Sequence, residues 1–197
     1  MITDRDKQII RYFEQYKYAT IEQLQKIFFK NQQSSYGIAR KRLERLKEAG
    51  YIKALRDSAT NRNIYIWNDE KIKPPSLHRM ITLDVLAELY RNDCQIELFQ
   101  MDKNWCDREI RSDAFAIFVF QNRRYHLFFE IQLSNHNHNL EKYDTLYETW
   151  EVQNYLNKDH FPRIVLVTDK NYSKVELKHT QVILLNTKLE AFSKVLL

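Results

Sequence analysis

Asp113, Glu130 and Gln132 have the types and the spacing of a cation-binding site. Asp113 opens the apolar run DAFAIFVF, and Glu130 and Gln132 sit two residues apart in the next run, YHLFFEIQL. Two facing carboxylates can hold a divalent cation, and a carboxamide beside them can position a reacting group. A buried carboxylate without a partner is strongly unfavourable, so an acid inside such a run calls for a metal, a proton or a counter-charge.

Both runs read as strands, and QNRR between them reads as a turn. Strand alternation sets His126, Phe128, Glu130 and Gln132 on one face. Closing the hairpin with Gln121 opposite Arg124 and Phe120 opposite Tyr125 predicts Asp113 opposite Gln132 and diagonal to Glu130, within reach of a shared cation. A helix is expected from about 140 to 156. On it Lys142 flanks the apolar stripe Leu140, Tyr143, Tyr147 and Trp150, which leaves its inward reach open.

The elements that must position these groups start at an amphipathic helix over about 77–91. A strand near 96–101 follows, then the two strong strands, the helix over 140–156, a buried strand RIVLVT and a further strand near 182–186. Helix, three strands, helix and strand describe an α/β sandwich with a mixed sheet, the last strand arriving by a crossover helix.

The first seventy residues have a different character. They carry 14 Lys/Arg and 9 Asp/Glu, a net of +5, and the whole chain of 197 residues is also +5, so 71–197 is neutral. Localised positive charge points to nucleic acid as the partner. Thr3 and Thr20 are expected to cap two helices, and Ser34 or Ser35 a third, which buries Ala39, Leu43 and Leu46 and stops at Gly50. Strands at 51–55 and 64–67 follow, joined by a polar loop with Arg56 and Arg62. With Leu43 inward, Gly37, Lys41, Glu44 and Glu48 face outward and Arg40 and Arg45 flank them. The stretch NDEKIKPPSLHR suits a linker over 71–78, dividing a domain at 1–70 from one at 79–197.

Three helices and a small hairpin, with RLERLKEAGYIKALR, resemble the winged helix-turn-helix DNA-binding domains. The outward Glu44 and Glu48 would repel phosphate, so the amino-terminal part of the third helix, with Ser34, Ser35, Tyr36, Gly37, Arg40 and Lys41, is expected to enter the major groove of double-stranded DNA. Arg45 is expected as a further contact on the flank, with Arg62 of the wing meeting backbone or minor groove. SDAFAIF followed by FFEIQ resembles the PD-(D/E)xK nuclease superfamily. The expected fold is therefore α+β overall, a winged helix followed by a restriction-endonuclease-like sandwich. Ser112 and Gln132 stand where that superfamily has proline and lysine, and Lys142 is the candidate replacement for the lysine.

Most of the chain, from the basic winged helix through SDAF…FFEIQ to LEKYDTLYETW, resembles the replication-relaxation family of plasmids and mobile elements. This implies a DNA-transaction setting; with Gln132 in place of the lysine, the expected function is a DNA-binding regulator or accessory factor of replication or transfer whose nuclease-like domain has lost catalysis. A second copy of the chain, and a relaxase or replication protein, are the further partners it suggests. The alternative is an endonuclease or nickase with Asp113 and Glu130 as ligands of Mg²⁺ or Mn²⁺, Gln132 as a positioning group and Lys142 as a charge stabiliser. DNA binding by itself requires no cofactor.

Other signals are weaker. Cys94 and Cys106 lack metal-site or disulfide spacing and read as free thiols. His136 and His138 in NHNHN read as a solvated loop. Tyr143, Tyr147, Trp150 and Tyr155 have the helical period of packing residues rather than of a base-stacking surface. No apolar run has the length of a membrane span and the start is polar, so a cytoplasmic location is expected.

Overall fold

Two threonines begin the helices of the amino-terminal unit. Thr3 caps α1 (Asp4–Tyr16) and Thr20 caps α2 (Ile21–Phe28), each through a reciprocal capping box closed by Asp6 and Gln23. Each box satisfies two backbone N–H groups that a helix start leaves without partners. The computed structural model describes residues 2–30, 32–57, 63–69, 71–134, 139–170 and 176–197. Arg62, His136 and His138 lie outside the described residues.

The third helix, α3 (Ser35–Glu48), buries Ala39, Leu43 and Leu46 as their spacing requires. Gly50 takes φ +80, and the Gly50 and Tyr51 N–H groups donate to the Lys47 and Leu46 carbonyls, closing a Schellman stop. The start differs from expectation. Ser34 occupies the cap position but takes a left-handed φ of 58 and makes no side-chain cap bond; instead, the Gln25 amide donates to Ser35 Oγ at 2.7 Å.

The hairpin β2 (Ile52–Arg56) and β3 (Asn63–Trp67) is joined by a two-residue strand, β1 (Tyr18–Ala19), giving a sheet in the order β1-β3-β2. Two residues carry no periodicity, so β1 had no sequence signal. Helix α4 (Leu77–Arg91), expected to open the second domain, packs against α2. The Gln23 amide donates to Asp84 Oδ1 at 2.8 Å and to the Met80 carbonyl at 3.1 Å, and Lys26 pairs with Glu88 at 2.7 Å. These polar ties, with the Tyr18 hydroxyl donating to the Lys73 carbonyl, draw residues 71–91 into the first unit. The chain accordingly divides into units 1–91 and 92–197 rather than at 71–78.

The second unit is a five-stranded sheet in the order β4 (Gln95–Trp105), β5 (Ile110–Phe120), β6 (Arg123–Gln132), β7 (Arg163–Thr168), β8 (Val182–Leu185). The first three strands are antiparallel, and β7 and β8 run parallel to β6. The crossover between β6 and β7 is helical, but α5 (Lys142–Glu148) and α6 (Glu151–Leu156) replace the single expected helix. The break is at Trp150, whose φ of 59 interrupts the helical course.

Trp105, Phe115, Phe128, Tyr143, Leu146, Val152, Phe161 and Leu166 form the core under these helices. The fold is thus mixed α+β: a helical region with a small three-stranded sheet, then a five-stranded mixed sheet with helices. Among the described residues no helix is long and apolar enough to cross a membrane.

Candidate nucleic-acid interface and acidic pair

In the first unit, α3 presents the predicted contact residues. Ser34, Tyr36, Gly37, Arg40, Lys41 and Arg45 are exposed, while Ser35 is half-buried against Gln25. Tyr36 is 46% exposed, unusual for an aromatic side chain on a helix with a buried face. Among the described residues a Cβ added at Gly37 would meet nothing within 4 Å, so their packing does not require the glycine.

The flanks of α3 differ. On the side of α1, Arg42 pairs with Asp6 at 3.2 Å and Arg45 lies near enough to favour the Asp6 carboxylate. On the side of the hairpin, Glu44 accepts hydrogen bonds from Lys47 and from the Tyr65 hydroxyl, the latter at 3.1 Å. Those bonds hold the Glu44 carboxyl below its ordinary range. Burial first, and then Glu44, push the Tyr65 hydroxyl up to about 12.

In the second unit the hairpin register corrects the expected one. Phe120 pairs with Arg123 and Phe115 with Phe128, leaving Gln121 and Asn122 as the two turn residues. Both have positive φ, 48 and 62, as a type I′ turn requires, and Asn suits that conformation better than Arg123 would. The ladder runs to Ala114↔Phe129, and its continuation sets Asp113 against Glu130 rather than Gln132. A two-residue shift preserves the faces, so Asp113 and Glu130 still share one side.

Beyond Ala114 the Ile131 N–H donates to Asp113 Oδ2 at 2.7 Å. Glu130, 1% exposed, accepts from the Tyr143 hydroxyl, and the Lys142 ammonium stands 2.8 Å from its Oε1. Lys142 thus reaches inward, and its ammonium also donates to the Arg111 carbonyl at 2.7 Å. Burial, Glu130 and then Asp113 raise the Tyr143 hydroxyl well above its usual range, so it stays a donor.

Asp113, Glu130 and Lys142 therefore come together, while the buried Gln132 turns its amide to the Ser134 carbonyl at 3.1 Å. The donor set does not fit a divalent cation as arranged. Lys142 places its ammonium against the Glu130 oxygen that such an ion would take, and among the described residues no group of three or more His, Cys, Asp and Glu could hold a metal.

Tyr143, by its helical period, is predicted to serve packing alone. It does pack on Phe128, with ring centroids 4.8 Å apart, but its hydroxyl also partners Glu130. A tyrosine next to the candidate lysine was the available signal. His126, on the Glu130 face, pairs through Nδ1 with His160 Nε2 at 3.0 Å, a contact between residues too distant in sequence to foresee. Of the aromatic series, Tyr143 is buried but Trp150 and Tyr155 are 50% and 49% exposed, so packing accounts for only part of it. No family model, curated protein or solved structure matches the chain.

Proposed function

We propose that the protein binds double-stranded DNA through a winged-helix amino-terminal unit, and that its second unit has a nuclease-like fold without catalysis. The observation that carries the binding reading is the exposed series Tyr36, Gly37, Arg40 and Lys41 on α3, beside a hairpin whose Arg56 is also exposed. A helix packed on a small sheet by one face and presenting cations on the other matches the docking needs of a major-groove reader. Cytoplasmic regulation of plasmid or mobile-element replication or transfer is the setting the sequence resemblance suggests, with a second copy of the chain or a relaxase as partner.

Lost catalysis is favoured by Lys142. Its ammonium neutralises Glu130 directly, so the buried carboxylate needs no metal. The endonuclease reading retains one observation in its favour: Asp113 of β5, Glu130 of β6 and a lysine from the start of α5 do come together. One experiment separates them. The protein is mixed with supercoiled plasmid at several salt concentrations, with and without Mg²⁺ or Mn²⁺, beside Asp113→Ala. Retarded, uncut DNA in both samples is the expected result; metal-dependent nicking that disappears in the variant would establish the enzyme.

A further inference from the structure

Glu44 stands one helical turn after Arg40 on the face proposed to meet DNA, where an acid would ordinarily repel phosphate. Three features set it apart from a solvated surface acid. Its carboxylate is held from two sides, by Lys47 and by the hydroxyl of Tyr65 on β3, whose ring is 1% exposed and therefore fixed in place. The side chain nevertheless remains 37% exposed. It lines an open groove of about 230 Å³ with Tyr36, Arg40, Arg56 and Asn63, between α3 and the hairpin.

A carboxylate only accepts hydrogen bonds, and its low proton affinity keeps Glu44 ionised at neutral pH. Among the major-groove edges, cytosine offers the N4 amino group, which Glu and Asp accept from. A side chain positioned before binding loses less conformational freedom on contact, so fixing Glu44 sharpens its discrimination. The surrounding Arg40 and Lys47 offset its repulsion of the phosphates.

We infer that Glu44 reads a cytosine amino group in the major groove, with Tyr65 as the positioning residue that aims it. This rests on the DNA-binding reading above. A glutamine at the same place can donate as well as accept, and glutamine pairs with adenine N6 and N7. Glu44→Gln should therefore move the preference at one base position from cytosine to adenine. Tyr65→Phe keeps the buried ring and should lower the cytosine preference there about tenfold.

The test is selection from a random 20-base-pair duplex library by the full chain, by Glu44→Gln, by Tyr65→Phe and by Arg40→Ala with Lys41→Ala, each variant's melting temperature being recorded. A cytosine in the parent's selected site that becomes adenine with Glu44→Gln and loses definition with Tyr65→Phe is the expected outcome. A parent site that both folded variants select unchanged, or one without base preference, would overturn the inference and leave DNA binding standing. A parent that retains no duplex at any salt concentration would remove the DNA-binding reading as well.

Discussion

Lys142 Nζ lies 2.8 Å from Glu130 Oε1, joining the first turn of α5 to the end of β6 beneath it. Both groups are largely withdrawn from water, at 19% and 1% side-chain exposure. Breaking such a pair leaves a buried charge without compensation, whereas replacing both partners together does not. Lys142→Met should therefore lower the unfolding free energy by about 3 kcal/mol. Lys142→Met with Glu130→Gln should recover most of that loss. Urea denaturation of the single and double variants measures the coupling, and additive losses would show that the two groups act independently.

Arg40 and Lys41 test the binding face. Each phosphate contact removed reduces the steepness of the salt dependence by about 0.9 in the logarithmic slope. Arg40→Ala with Lys41→Ala should weaken duplex binding and flatten the slope by up to about 2. Binding isotherms from low to moderate salt give both quantities, and unchanged affinity would assign the interface elsewhere.

Gly37 separates the demands of folding from those of binding. Among the described residues nothing crowds a Cβ there, and glycine inside a helix is less stable than alanine by roughly 1 kcal/mol. Gly37→Ala should accordingly raise the melting temperature. Lower duplex affinity in the same variant would show that DNA approaches the helix backbone closely, while equal affinity would make Gly37 a helix-start residue only.

The His126–His160 contact predicts a pH dependence. Burial first, then His160 and Arg124, hold the His126 imidazole down at about 4, with Lys158 acting the same way and Glu97 opposing. The unfolded chain, with an ordinary histidine value, binds the proton more readily than the folded one. Stability from this group is therefore full above about pH 6.5 and is lost as pH falls towards 4. His126→Leu should flatten the decline in melting temperature between pH 7 and pH 5. A decline equal to the parent's would assign the acid sensitivity to other groups.

Among the local features, the sequence by itself determined two of the three expected caps, the stop and the strand faces. Thr3 and Thr20 bond to residues three positions on, and Gly50 alone suits the left-handed stop, because these interactions are closed by neighbours within one turn. Alternation likewise sufficed to set Glu130 on the same side as Phe128 and His126, since a strand's period is fixed by its backbone.

Tertiary structure decided what depends on distant partners. The hairpin register turned on which two residues accept positive φ, and this moved Asp113 from Gln132 to Glu130. The allegiance of α4 followed from Gln23 and Lys26 meeting Asp84 and Glu88, residues about sixty positions away whose proximity no periodicity encodes. The reach of Lys142 depended on the packing of α5 on Phe128 through Tyr143. A lysine on the flank of a helix can point to water or to a buried acid, and only the packed neighbour supplies the charge that draws it inward.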